Sequence, residues 1–169
     1  MEEGFKLEQV AIRLVPEAAV WDAEPIRSPE RAVEVIGKYI RDMDREAVCV
    51  VNFNARLQPI NFQIVSIGTL DRALCEPREL LKAGILSNAS SMMILHNHPA
   101  GSIAPSGCDI QMTERMEKVC ELVGIPLMDS IIVGFGREDY FSFRDASMLV
   151  NPNQKVERVA EERSGRGGR

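Results

Sequence analysis

The spacing of apolar residues along the chain predicts alternating strands and helices. Short apolar or alternating runs bounded by polar and turn-forming residues are typical of β-strands, and they span 47–53, 57–67, 92–95, 127–133 and 140–143. Imperfect alternation over 5–15 predicts a further strand at the edge of the sheet. The clean alternation over 61–65 predicts one buried and one wet face for that strand.

Three segments have the apolar spacing of helices. Ser28-Pro29-Glu30 predicts a helix start, because serine caps, proline suits the first position and an acid suits the first turn. A second helix is expected from Pro77, and a third over 110–123 with Gly124 at its end. The residues expected to face the sheet are Ala32, Val33, Ile36, Tyr39 and Ile40, then Leu80, Leu81, Gly84 and Ile85, then Met112, Met116, Val119 and Val123.

This order of elements predicts a mixed α/β domain with a central sheet flanked by helices. We expect residues 1–27 to form an N-terminal strand and connector, in which Trp21 covers an edge of the core. Residues 28–150 are expected to form the domain itself. Residues 151–169 are polar and end in arginine and glycine, so we expect a disordered tail.

Composition narrows the functional classes. The 169 residues carry a net charge of -5, which argues against broad binding to nucleic acid, since that needs a basic surface. No apolar run is long enough to cross a bilayer, and the first residues do not resemble a signal segment, so we expect a cytoplasmic protein. Reduced thiols are expected in that compartment for Cys49, Cys75, Cys108 and Cys120, which form no C-x-x-C pair.

Both histidines of the chain directly follow the apolar run 92–95. Side chains two apart on an extended chain point the same way, so His96 and His98 are expected to converge, and Pro99 restricts the backbone of His98. Asp109 follows after a short loop and brings a carboxylate from the start of the next helix. Two imidazoles and one carboxylate leave a fourth position for water, which is the open arrangement of a catalytic zinc site.

The sequence H-x-H-P, a short loop and then S-x-x-D resembles the JAMM (MPN+) metallopeptidase motif. Further matching segments, in the same order, are similar to the bacterial RadC-type JAB domain: 68–70, 77–79, 88–89, 96–101, 105–106, 122–126 and Asp129. The resemblance covers about 28–145. It implies a cytidine-deaminase-like α/β fold, one zinc ion and hydrolytic chemistry. The helix-hairpin-helix region of longer family members has no counterpart here, so the chain looks like the stand-alone form.

The resemblance also implies a role for each site residue. His96, His98 and Asp109 match the zinc ligands, and Ser106 matches the serine that helps to hold the tetrahedral intermediate. Glu46, just before the strand at 47–53, best matches the glutamate that binds the zinc water. Spacing alone would make Glu46 an ordinary solvated charge, and Glu30, Glu76 and Glu79 remain alternatives.

Some of these residues have simpler interpretations. Ser106 and Asp109 have the spacing of a helix-capping box, although the need for a third ligand favours metal binding by Asp109. Cys108 is either a redox-sensitive or adventitious ligand or, as we favour, a small buried residue. The chain departs from the family pattern at Ala100, where a serine is common, and at Ser130, where relatives usually have a histidine.

We therefore predict a zinc-dependent hydrolase, a metallopeptidase or isopeptidase with a peptide or protein substrate. Zinc and Glu46 would activate a water that attacks an amide carbonyl, and zinc and Ser106 would stabilise the oxyanion. The alternative is an accessory protein of DNA repair or mobile elements that binds DNA or protein, with Arg163, Arg166 and Arg169 as candidate contacts. A scaffold of the same fold without catalysis is a third interpretation. The edge predicted at 5–15 would permit a homodimer.

Overall fold

The computed structural model of the chain describes residues 7–17, 19–22, 24–68, 75–136 and 138–149. Helices α1 (Pro29–Val35), α2 (Pro77–Leu86) and α3 (Gly107–Val123) alternate with the strands, and a short 3-10 turn, Gly37–Tyr39, follows α1. The strands are β1 (Ala47–Phe53), β2 (Pro59–Ile67), β3 (Ser91–His98), β4 (Leu127–Gly134) and β5 (Tyr140–Ser142). No helix in this described part is both long and apolar enough to cross a membrane.

The five strands form one mixed sheet in the order β2-β1-β3-β4-β5. Strand β1 is antiparallel to both of its neighbours, β2 and β3. Strands β3 and β4 are parallel, because α3 carries the chain back between them, and β5 returns antiparallel to β4. The predicted α/β class with a central mixed sheet flanked by helices is confirmed.

Each face of the sheet has its own apolar core. Helix α1 packs against one face, which includes Cys49, Val51, Met93, Leu95 and Val133. Helices α2 and α3 pack against the other face, which includes Val48, Val50, Met92, Ile94 and Ile132. Since side chains alternate along a strand, the even-numbered positions of β3 all face α3. The two histidines at the end of β3 therefore lie under that helix.

The helix ends follow local sequence signals. The Ser28 hydroxyl accepts a hydrogen bond from the Arg31 amide at 3.3 Å, and Pro29 occupies the first turn of α1. Helix α3 ends at Gly124 in the left-handed conformation, with φ of 78°. The predicted start of α1 and end of α3 are confirmed.

The N-terminal predictions are wrong where the structure describes them. Residues 7–15 are exposed coil instead of an edge strand, because alternation forms a strand only when a neighbouring strand supplies hydrogen bonds. Trp21 is 86% exposed and does not cover the core. Phe5, Lys6 and the predicted tail at 151–169 lie outside the described residues.

Several predicted faces and boundaries also need correction. In α2, Ile85 is 52% exposed and Ala83 is buried instead. Helix α3 starts at Gly107 and buries Thr113, Met116 and Cys120; Met112 and Val119 are only half-buried, and Val123 is exposed. Strand β2 has no fully buried residue because it lies at an edge of the sheet. Strand β3 continues through both histidines rather than ending at Leu95.

A buried carboxylate ties β4 to the turn after β5. Asp129 is 1% exposed and accepts hydrogen bonds from the Ser142 hydroxyl (2.6 Å), the Ser130 amide (2.7 Å) and the Arg144 amide (3.0 Å). Asp129→Ala would leave these donors without their acceptor, so we expect it to lower the free energy of unfolding by about 3 kcal/mol or more. Urea unfolding of the metal-free protein, followed by circular dichroism, measures this loss. The matched variant Asp129→Asn keeps an oxygen that can accept from the amides, so it should lower the free energy of unfolding by less than Asp129→Ala does.

The pH dependence of the same comparison tests the protonation of Asp129. Burial raises the pKa of Asp129 above its ordinary value, against the lowering effect of its donors. The stabilising contribution of such a group is complete below the unfolded pKa, about 3.9, and is lost as the pH rises through the folded pKa. The advantage of the parent over Asp129→Asn should therefore shrink as the pH rises above about 4. If the difference in the free energy of unfolding between the parent and Asp129→Asn stayed constant with pH, a raised pKa of Asp129 would be contradicted.

Candidate metal centre

The two histidines occupy the carboxyl end of β3 on the face covered by α3. In the sheet register His96 lies between Val48 of β1 and Ile132 of β4, and His98 lies beside Gly134. His96 is 3% exposed, whereas His98 is half-buried and closer to solvent. Their ring centroids are 5.1 Å apart with an interplanar angle of 61°. The predicted convergence of the two imidazoles is present in the structure.

Asp109 in the first turn of α3 completes the group. Its Oδ1 lies 3.1 Å from Nε2 of His96, and its Oδ2 lies 3.4 Å from Nε2 of His98. One ligand atom from each of the three residues lies within 4.8 Å of the others. The structure thus brings together the three residues predicted as metal ligands, and the group could hold a metal ion.

The hydrogen bonding of the two rings fits a metal ion. Both ring nitrogens of His96 are buried, and within the described part of the chain neither makes a hydrogen bond of good geometry, although Nε2 lies 3.1 Å from Asp109 Oδ1. Buried polar atoms normally have a partner, so a metal ion would supply what His96 Nε2 lacks. His98 Nδ1 lies 2.7 Å from the Ser102 carbonyl oxygen, and donation there leaves the lone pair of Nε2 facing Asp109. Two imidazole nitrogens and one carboxylate suit zinc.

Charge and hydrogen bonding favour the ionised form of Asp109. Burial opposes ionisation, but contacts with His96, His98 and Ser106 outweigh it and hold the pKa of Asp109 well below its usual range. The same contact with Asp109 raises the pKa of His98, against the opposing effect of burial. Asp109 is therefore in the state in which a carboxylate binds a metal ion.

Ser106 and Asp109 also form the capping box that the sequence suggested. The Ser106 hydroxyl accepts from the Asp109 amide at 3.2 Å, and the Ser106 amide donates to Asp109 Oδ2 at 2.7 Å. The cap engages Oδ2, while Oδ1 faces His96. Helix capping and metal binding are thus compatible, and the capping box holds the carboxylate toward the histidines.

Glu46 lies next to this group through the pairing of β1 with β3. Val48 is opposite His96 in the antiparallel register, and continuing that register two residues past the last pair would place Glu46 opposite His98 on the same face. The charge of Glu46 contributes to the raised pKa of His98, which is consistent with this proximity. Glu46 itself is half-buried.

The three alternative glutamates contact other groups. Glu30 accepts a hydrogen bond from the Tyr140 hydroxyl. Glu76 pairs with Arg115 at 3.1 Å, and Glu79 pairs with Lys82. Among the four candidates, Glu46 is the one that immediately precedes β1, the strand that pairs with the histidine strand β3.

Sequence reasoning missed Ser102, whose carbonyl oxygen lies 2.7 Å from His98 Nδ1, because a backbone partner leaves no signal in the sequence pattern. Cys108 is exposed, so the favoured interpretation as a small buried residue is wrong. All four cysteines are free, as predicted. Ser130, a predicted departure from the family pattern, is fully buried and accepts a hydrogen bond from the Thr113 hydroxyl at 3.1 Å.

Comparisons with known proteins agree with the motif. The model of the RadC-like JAB domain matches residues 26–148. Proteins named "UPF0758 protein" are similar: that of Streptococcus sanguinis is 30% identical over 138 residues, covering 82% of this chain and 60% of the relative. That of Chlorobaculum parvum is 37% identical over 124 residues, covering 73% and 55%. The chain thus spans a little over half the length of these relatives. It belongs to the RadC-like JAB domain family.

Proposed function

We propose that this chain is a zinc-dependent hydrolase that cleaves peptide or isopeptide bonds. The observation that carries the proposal is the cluster of His96, His98 and Asp109, in which the buried nitrogens of His96 make no hydrogen bond of good geometry among the described residues. These three side chains would hold the ion. When bound, zinc supplies a Lewis acid that lowers the pKa of a water molecule and polarises a carbonyl.

The remaining chemistry belongs to two side chains at the edge of this group. Glu46 would take a proton from the attacking water and return it to the leaving amine. Ser106 lies at the exposed start of α3, where its hydroxyl can accept from the Asp109 amide and still donate its own hydrogen. That hydrogen would stabilise the negative charge that develops on the carbonyl oxygen.

Metal removal tests the proposal. The purified protein, a chelator-treated sample and a sample reloaded with zinc are incubated with fluorescence-quenched peptides and with an isopeptide-linked lysine peptide. We expect cleavage in the zinc-loaded samples. In the chelator-treated sample the cleavage rate should fall by more than the roughly 10-fold to 100-fold caused by mutating a residue that only hydrogen-bonds to a metal ligand. Mass spectrometry measures both zinc content and products.

Two outcomes would contradict the proposal. Cleavage that persists after the metal is removed would exclude zinc chemistry. A zinc-loaded protein that cleaves none of these peptides but binds DNA in a salt-dependent manner would favour the accessory-protein alternative.

A further inference from the structure

Asn97 lies between the two histidines of β3 but points away from them. Because side chains alternate along a strand, Asn97 faces α1 while His96 and His98 face α3. Its side chain is fully buried, which is unusual for an amide unless its polar atoms are bonded. The polar atoms of this buried amide should therefore have hydrogen-bond partners on the α1 side of the sheet.

The three hydrogen bonds of the Asn97 side chain go to the backbone just before and at the first residue of β1. Its Oδ1 accepts from the Ala47 amide at 2.7 Å, and its Nδ2 donates to the carbonyls of Met43 (3.3 Å) and Arg45 (3.1 Å). This stretch has no helix or strand of its own until Ala47. Its backbone groups therefore depend on such contacts.

These bonds hold the two peptide groups on either side of Glu46. The carbonyl of Arg45 belongs to the preceding peptide and the amide of Ala47 to the following one. The carbonyl of Glu46 accepts a further bond from the Gly68 amide at 2.8 Å. Since peptide groups are planar, fixing both of them fixes the backbone dihedrals between them and the direction of the Glu46 Cα–Cβ bond.

We propose that Asn97 is a positioning residue that sets Glu46 opposite His98, so that one short strand segment arranges both the metal ligands and the proposed base. This inference rests on the proposed function for its chemical meaning. The Asn97 side chain points away from the cluster, and it would act through the backbone on either side of Glu46. Its loss should leave metal binding intact and reproduce the effect of altering Glu46.

The first experiment needs no metal. Amide hydrogen exchange of the metal-free protein is measured by NMR in the parent, in Asn97→Ala and in the isosteric Asn97→Asp. We expect the Ala47 amide to exchange at least about fivefold faster in Asn97→Ala, as for one lost hydrogen bond. Asn97→Asp keeps an acceptor for the Ala47 amide, so that amide should stay protected from exchange. If Asn97→Ala does not fold, the comparison of the parent with Asn97→Asp still tests the contact. Unchanged exchange of Ala47 in a folded Asn97→Ala would overturn the contact.

Asn52 provides a matched control. It is a fully buried asparagine of the same sheet, in β1, and donates to Asn61 Oδ1 at 2.7 Å. Asn52→Ala should leave the exchange of the Ala47 amide unchanged. Equal acceleration in both variants would show general loosening of the sheet and overturn the positioning role.

The second experiment uses cobalt(II) and acetohydroxamic acid, which loses its hydroxyl proton on chelating a metal and so offers Glu46 a proton. Visible absorption gives the stoichiometry of cobalt and the dissociation constant of the hydroxamate. We expect Asn97→Ala and Glu46→Gln each to weaken hydroxamate binding by roughly 10-fold to 100-fold with cobalt stoichiometry unchanged. The double variant should bind the hydroxamate no more weakly than Glu46→Gln alone.

The outcomes separate the two proposals. Additive losses in the double variant, or parent-like hydroxamate binding by Asn97→Ala, would overturn the action of Asn97 through Glu46. A parent protein that takes up no cobalt would count against the proposed function instead. The exchange measurement would still decide whether Asn97 holds the backbone of Glu46.

Discussion

Asp109→Asn is expected to leave the purified protein with little bound zinc, whereas the parent should carry about one ion per chain. Asp109 Oδ1 lies 3.1 Å from His96 Nε2, and the carboxylate supplies the only negative charge in the group of three. Mutating a residue that only hydrogen-bonds to a metal ligand weakens metal binding by up to roughly 100-fold. Losing the ligand itself should weaken zinc binding by more than that. Metal analysis by mass spectrometry, with competition against a chelator of known affinity, measures both quantities.

The choice of asparagine separates metal binding from helix capping. An asparagine carbonyl can still accept the bond that Asp109 Oδ2 takes from the Ser106 amide, so α3 should start normally. The reciprocal control is Ser106→Ala, which removes the acceptor of the Asp109 amide and should cost about 1 kcal/mol of stability while zinc is retained. If Asp109→Asn kept parental zinc affinity, Asp109 would be a helix cap only.

Glu46→Gln is expected to lower the rate of zinc-dependent cleavage by about 10²-fold to 10⁴-fold without changing zinc content. Glutamine has the size of glutamate but cannot take up a proton at neutral pH, so the variant removes the proposed base and little else. The measurement is the cleavage rate of the best peptide from the zinc-dependent screen, at matched metal loading. A loss of rate with full zinc content would place Glu46 in proton transfer.

The other glutamates provide the controls for this prediction. Glu76→Gln and Glu79→Gln change carboxylates that pair with Arg115 and Lys82, so both variants should cleave at the parental rate. Full activity of zinc-loaded Glu46→Gln would reject Glu46 as the base. A selective loss in Glu79→Gln would move that role to Glu79.

Local signals in the sequence were enough for much of the fold. The predicted boundaries of strand β1 match the observed ones because Ala47–Phe53 is apolar at every position except Asn52 and lies between polar segments. The start of α1 and the end of α3 depend on Ser28, Pro29 and Gly124, whose effects act within a few residues. The same local logic failed for 7–15, because strand formation depends on a neighbour that the sequence pattern does not reveal.

The arrangement of the three predicted metal ligands also follows from local sequence. His96 and His98 share a face because they are two apart on one strand, and the sequence alone determines that geometry. Their approach to Asp109 follows from a short loop and a capping box, which are also local.

The position of Glu46 could not follow from sequence spacing. It depends on pairing β1 with β3 and on a hydrogen bond between Ala47 and Asn97, which are 50 residues apart in the chain. The sequence by itself therefore determined the α/β class, the helix ends and the two histidines, since each arises from neighbouring residues. Only the tertiary structure brought the start of β1 beside the histidine strand and bonded Ala47 to Asn97, because contacts between distant strands depend on how the whole sheet assembles.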